Sequence, residues 1–227
     1  MHKTNGFFVT GTDTGVGKTR VTLALMAYLK RQGHRVAGFK PVASGCQYID
    51  GQLKNEDALA IQQLSSRILA YEQINPYALV KPVAPHLAAA EENQTIDFER
   101  ILKAYRALQA DFDYVVTEGA GGWLVPLNEW QDMSDLAGVL EVPVVLVVAM
   151  RLGCINHARL TLRAITEAGL CCAGWVANCC EPDMLLQQEN ILALQQRLSC
   201  PLLAVLPYQP LLNIEQTAHY FAVGSLE

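Results

Sequence analysis

One stretch restricts what this chain can fold into more than any other. Gly6-Phe7-Phe8-Val9-Thr10 is short and apolar, Gly11 to Thr19 reads GTDTGVGKT, and from Thr19 to Gln32 apolar residues recur at helical spacing (Val21, Leu25, Leu29) until Gly33. Strand, glycine loop and helix in direct succession aim converging backbone N–H groups and the positive end of a helix at one point, which is how chains hold a phosphate. The spelling is unusual. A Walker A loop reads G-x-x-x-x-G-K-[ST], but its first glycine position, five before Gly17, holds Thr12, and Gly11 lies one residue further back. In such a loop Lys18 reaches the β- and γ-phosphates and Thr19 offers its hydroxyl to Mg2+.

The rest of the chain repeats the alternation. Arg35 to Lys40 reads as a second strand ended by Pro41, and Tyr114 to Glu118 as a third, followed by Gly119-Ala120-Gly121-Gly122. Pro143 to Ala149 is almost wholly apolar, as a central parallel strand covered on both faces must be. Ala173 to Ala177 and Leu202 to Leu206 follow, with helical segments at Ile155 to Ala168 and Leu185 to Leu198. This pattern predicts an α/β fold: a doubly wound, mostly parallel sheet with helices on both faces, P-loop NTPase-like, in a single domain spanning residues 1–227. A chain of 227 residues, 51% of them hydrophobic, can bury the core this needs. Asn75 to Pro85 (NPYALVKPVAP) carries three prolines and reads as a folded-over loop rather than a domain boundary.

Composition narrows the function. A net charge of -5 without clustered Lys or Arg argues against a nucleic-acid partner, so phosphate recognition should be local. Seven cysteines, an odd number with no C-x-x-C spacing, in a chain lacking a signal peptide or a long apolar run, lead us to expect reduced thiols, a cytoplasmic location and no membrane association.

Polar groups at the carboxyl ends of the strands should share one crevice. Glu118 ends the third strand, where an acid can join Thr19 on Mg2+, and Asp57 is a second candidate carboxylate. Lys40 ends the second strand beside that crevice. Two lysines there suit phosphoryl transfer, because fixed cations stabilise charge developing on the phosphoryl group and its acceptor; Ser44 could hydrogen-bond the acceptor. Met150 to His157 opens a helix whose amides could hold another anion, such as a carboxylate. His86 and His157 have neither metal-ligand spacing nor a nucleophile partner and are read as structural.

These residues together resemble the dethiobiotin synthetase family. The resemblance rests on Thr10 to Thr19, Lys40-Pro41-Val42-Ala43-Ser44-Gly45, Glu118-Gly119-Ala120-Gly121-Gly122-Trp123, Leu152 to Ala158 and Ala173 to Asn178. It implies a reaction in which CO2 carbamylates one amine of 7,8-diaminononanoate (7,8-diaminopelargonate), ATP phosphorylates the carbamate, and the second amine closes a cyclic urea. It further implies that Thr14, Gly15, Val16, Gly17, Lys18, Thr19 and Arg20 cradle ATP, with Gly119, Ala120 and Gly121 beside the phosphates. Thr19, Asp57 and Glu118 would hold Mg2+. Lys40 is the catalytic lysine, acting with Lys18, Thr14 and Ser44. Lys40 and Ser44 also contact the substrate, and Gly153, Cys154, Ile155 and Asn156 receive its carboxylate across a homodimer interface. Asn178 and Cys179, with Pro207, Tyr208 and Gln209, face the adenine.

Two positions depart from the family. Gly15 stands where some relatives carry Glu, and Cys179 where an Asp can follow the Asn; a thiol is a poor acceptor for a base amino group. A switch or partitioning ATPase of the same fold is the rival reading, but the lysine of its K-G-G-x-G-K-T loop would fall at Asp13. Amidating enzymes of cobalamin synthesis also resemble the loop, yet they need a further glutamine-hydrolysing domain. A non-catalytic binder would not need Lys18, Thr19, Lys40 and Glu118 together.

Overall fold

In the computed structural model, which describes residues 5–209, 211 and 213–221, β1 (Asn5–Gly11) runs up the middle of a six-stranded sheet. α1 (Lys18–Arg31) then leads to β2 (Val36–Phe39). The chain next leaves the sheet through β3 (Val42–Ala43), a hairpin of β4 (Gln47–Ile49) and β5 (Gln52–Lys54), α2 (Glu56–Leu64), α3 (Tyr71–Ile74), β6 (Tyr77–Ala78), α4 (Pro85–Glu91) and α5 (Phe98–Asp111). It rejoins at β7 (Tyr114–Glu118) and continues through α6 (Met133–Leu140), β8 (Val144–Ala149), α7 (Cys154–Glu167), β9 (Cys172–Asn178), α8 (Gln187–Gln195) and β10 (Leu202–Leu206) to α9 (Ile214–Ala218). The expected domain of residues 1–227 also takes in 1–4, 210, 212 and 222–227, which lie outside the described residues.

The sheet order is β10-β9-β8-β1-β7-β2, and every pairing is parallel. Strand order reverses at β1, so the crevice above the carboxyl ends of β1, β7 and β8 is the place for a ligand. Right-handed crossovers put a helix that leads one way along the sheet on the opposite face from helices that lead back. α1 accordingly packs with α2 and α9, while α7 packs with α8.

β8 is buried at all six positions, and each Val or Leu there contributes about 1.5–3 kcal/mol of burial. That is why the most apolar run of the sequence lies inside the sheet. α1 begins at Gly17, in the left-handed region (φ 89), and ends with Lys30 and Arg31 in its last turn, where their charge complements the helix dipole. α5 was not expected. Its signals are conventional: Asp97 accepts from Glu99 N as an N-cap, and Phe98, Ile101, Tyr105 and Leu108 bury one face.

The three-proline segment straps itself to the end of β2. β6 pairs in parallel with β3 (Val42 with Tyr77, Ala43 with Ala78), and Lys40 N donates to Ile74 O at 2.9 Å. Asn75, 3% exposed, donates from Nδ2 to Lys40 O at 2.7 Å and Tyr77 O at 3.2 Å, and accepts from the Tyr71 hydroxyl at 2.9 Å. The backbone that carries Lys40 is thus held from both sides. No helix among the described residues is long and apolar enough to cross a membrane.

Candidate active site

The glycine loop is held open from within and braced from outside. Gly15 (φ 72) and Gly17 (φ 89) take left-handed backbone, which a side chain resists. At Gly17 a Cβ would also meet Asn178 Nδ2 at 2.0 Å. Val16 is fully buried beneath the loop, and Thr12 N donates to Val147 O at 3.1 Å, fixing the loop to β8. No side chain caps α1, so its first amides remain available to an anion.

Lys18 folds back over the loop and donates from Nζ to Asp13 O at 3.2 Å. Burial above all, with a smaller contribution from nearby Lys40 and against the opposing charges of Glu118, Asp57 and Asp13, lowers its pKa to about 8. Asp13 itself accepts from Thr14 N at 2.7 Å and pairs with Arg151 at 2.9 Å.

Glu118 is the centre of the polar cluster. Phe39 and Thr117 are register partners on β2 and β7, so the next residues on the two strands, Lys40 and Glu118, meet above the sheet. Lys40 Nζ lies 2.6 Å from Glu118 Oε1 and 3.8 Å from Asp57 Oδ2. The Thr19 hydroxyl donates to the same Oε1 at 3.0 Å. Glu118 Oε2 is buried and has no hydrogen-bond partner among the described residues.

A buried carboxylate oxygen without a donor, beside a threonine hydroxyl and a half-exposed second carboxylate, fits Mg2+, which takes oxygen ligands and keeps several waters. Thr19, Glu118 and Asp57 are the residues that would hold it. Among the described residues no group of three or more His, Cys, Asp or Glu could hold a metal ion.

A cleft of ≈ 710 Å³ opens onto this cluster. It gathers Thr14, Gly15, Gly17, Lys18, Thr19, Lys40, Ser44, Asp57, Glu118, Ala120 and Gly121. Ser44 Oγ is buried without a partner among the described residues. Sequence reasoning missed the opposite wall, Asn55 and Pro82 to Pro85, together with Val125; the only available signal was the proline cluster. Gly119 lies below the cleft, where a Cβ would press on the Phe8 ring at 3.2 Å.

The remaining predicted residues form two groups outside the cleft lining. Arg20, Asn178, Pro207 and Gln209 are joined by hydrogen bonds, with Cys179 buried and Tyr208 exposed beside them. Gly153 to Asn156 opens α7: Gly153 (φ 93) is the N-cap, Gly153 and Asn156 are exposed, Ile155 is half-buried and Cys154 is buried. Asn156 lines a separate groove of ≈ 490 Å³ with Arg159, Arg163 and Arg197. His86 and His157 line neither cavity.

A parallel sheet with a positive-φ glycine loop, an uncapped helix and a Thr–Glu–Lys cluster at its switch point defines a P-loop nucleotide-binding protein. Solved structures agree on the fold. The MinC:MinD cell division complex of Aquifex aeolicus aligns with a TM-score of 0.58 at 13% identity, covering 94% of this chain and 86% of that one. A ParA family ATPase from Chlorobium tepidum TLS aligns at 0.57 and 14% identity, covering 100% and 95%. The family model described as an AAA domain matches residues 5–216. The chain is 49% identical over 213 residues to the ATP-dependent dethiobiotin synthetase BioD of Xanthomonas axonopodis pv. citri, covering 94% of this chain and 95% of the relative. It is 52% identical over 203 residues to the BioD protein of Nitrosospira multiformis, covering 89% and 88%. The chain belongs to the dethiobiotin synthetase family.

Proposed function

We propose that this ATP-dependent ligase of biotin biosynthesis converts 7,8-diaminononanoate, CO2 and ATP into dethiobiotin, ADP and phosphate. The observation that supports the reading best is the convergence of Lys18, Lys40, Thr19, Ser44 and Glu118 on one cleft at the strand ends.

In this reading one amine adds to CO2 and loses a proton, giving a carbamate. A carbamate oxygen attacks the γ-phosphorus and the bond to the ADP oxygen breaks, leaving a carbamic–phosphoric anhydride. The second amine then attacks the carbonyl carbon, phosphate departs with the C–O electron pair, and loss of a proton completes the cyclic urea. Phosphorylation turns a poor leaving oxygen into a good one. Mg2+, when bound, neutralises phosphate charge and orients the triphosphate.

The chain's own residues do the rest. Loop amides from Gly15 to Thr19 hold the β- and γ-phosphates, and Lys18 neutralises charge as it moves to the leaving side. Lys40 faces the acceptor and stabilises the oxyanion during transfer and closure. Ser44 Oγ orients the carbamate. The carboxylate of the substrate is received by Gly153 to Asn156 of a second copy, a reading supported by their position outside the lining of the cleft; the active form is then a homodimer. A cytoplasmic location fits the seven free thiols.

The test is coupled turnover. ADP release should require both bicarbonate and the diamine, and the product should be heavier than the diamine by CO2 less water. Lys40→Ala should bind ATP yet lose turnover. Rapid ATP hydrolysis without either co-substrate, or a phosphorylated diamine lacking the extra carbon, would overturn the reading.

A further inference from the structure

Arg20 follows the glycine loop, but its guanidinium does not join the phosphate side. Two residues along an α-helix turn the side chain by about 200°, so Arg20 leaves α1 nearly opposite Lys18. Its Nη1 donates to Asn178 Oδ1 at 2.9 Å, and its Nη2 donates to Pro207 O at 2.8 Å and Gln209 Oε1 at 3.1 Å. Asn178, 3% exposed, is occupied from its other end. Its Nδ2 donates to Val16 O at 2.8 Å and lies 3.2 Å from Cys180 Sγ. One amide hydrogen is held by Val16 O, the other faces only the weak acceptor Cys180 Sγ, and Oδ1 retains one lone pair. The Asn178 carboxamide is thus oriented from both ends, by Arg20 and by the glycine loop.

We propose that Arg20 is a positioning residue for the nucleotide base. Through Asn178 and the Pro207–Gln209 segment it ties the carboxyl ends of β9 and β10 to the first turn of α1. This sets the shape of the base subsite while the phosphates are held elsewhere. Base selectivity then depends on how firmly Arg20 holds the Asn178 carboxamide and the Pro207–Gln209 segment in place. The inference rests on the reading that the Asn178 and Pro207–Gln209 side of the molecule receives the base. It does not rest on which reaction the enzyme catalyses.

Calorimetric binding to the full chain tests it, with ATP, GTP and inorganic tripolyphosphate as probes, each with Mg2+. Arg20→Ala should weaken ATP about tenfold, since a charged hydrogen-bond network is lost, narrow the ATP-to-GTP ratio, and leave tripolyphosphate within about twofold of wild type. In turnover KM for ATP should rise while kcat at saturation stays. Gln209→Ala cuts one arm of the network from the far side and should shift ATP binding the same way by a smaller factor. It keeps the test open if Arg20→Ala does not fold. Equal weakening of ATP and tripolyphosphate would show that Arg20 acts on phosphate, through Nε, which has no partner among the described residues, or otherwise, and would overturn the proposal. So would unchanged ATP binding in either variant, or a wild type that binds ATP no better than tripolyphosphate. Failure of diamine-dependent turnover with these binding results intact would overturn the proposed reaction alone.

Discussion

Lys40 and Glu118 directly follow the register partners Phe39 and Thr117 of adjacent parallel strands and meet at 2.6 Å with side chains 6% and 1% exposed. Two charges so far from water are tolerated because each pairs with the other, and Thr19 adds a second donor to the same Glu118 oxygen. Breaking such a pair from one side leaves an uncompensated buried charge. Glu118→Ala should lower stability by about 3–5 kcal/mol, a drop of roughly 10 °C in melting temperature. The double variant Lys40→Met, Glu118→Leu should recover most of that while remaining inactive. Calorimetric melting of the three proteins decides it, and a double variant as unstable as the single one would refute the argument.

Lys18 makes nucleotide binding depend on pH. Its pKa of about 8 lies below the unfolded value, so the charged form is disfavoured in the folded chain. The sign follows. This group's contribution to stability rises as pH goes from about 8 to the unfolded value, whereas the grip on phosphate weakens over the same interval. A bound triphosphate favours the charged lysine, so binding at pH 8 should take up protons and binding at pH 6.5 should take up far fewer. Titrations in buffers of different ionisation enthalpy measure this, and equal proton uptake at both values would rule it out.

The two left-handed glycines of the loop should respond differently to substitution. Among the described residues nothing lies within 4 Å of a Cβ at Gly15, so Gly15→Glu carries only the backbone cost, about 1–2 kcal/mol, and the protein should fold and bind ATP. Gly17→Ala adds a collision with Asn178 Nδ2 at 2.0 Å and should abolish measurable ATP binding. Thermal melts with and without ATP separate the two; similar behaviour would contradict the geometry.

Asn75 should matter for catalysis without touching a ligand. Asn75→Ala strips a donor from the Lys40 carbonyl and an acceptor from the Tyr71 hydroxyl, each costing about 1–3 kcal/mol when buried. We expect kcat to fall at least tenfold with ATP affinity nearly unchanged, because what moves is the backbone of Lys40. Loss of ATP affinity in step with kcat would place Asn75 in the nucleotide site instead.

Much of this was legible in the residues themselves. β7 has the expected bounds, and β8 stands out because a strand covered on both faces must be apolar throughout. The hairpin of β4 and β5 was passed over although Asp50 (φ 52) and Gly51 (φ 74) form its two-residue turn, a recognisable signal. Its strands are short and largely exposed, so no alternation of burial accompanies the turn. In the site, Lys18, Thr19, Lys40 and Glu118 could be placed because each ends or follows a strand. The wall at Pro82 to Pro85 could not, since it depends on the chain returning to β3 from more than thirty residues away. Arg20 was read only as one of the residues that cradle ATP, because adjacency in sequence conceals the turn of a helix that carries it away from Lys18.

The strap that carries β6 and Asn75 belongs to none of the six sheet strands, yet it leads into one wall of the cleft. Phosphate chemistry is therefore built into the sheet, whereas the facing wall is an excursion fastened at its ends. Such an arrangement separates what can vary from what cannot. Residues between Leu79 and Pro85 could be exchanged to admit a differently shaped acceptor while the lysines and the glutamate stay where the strands put them.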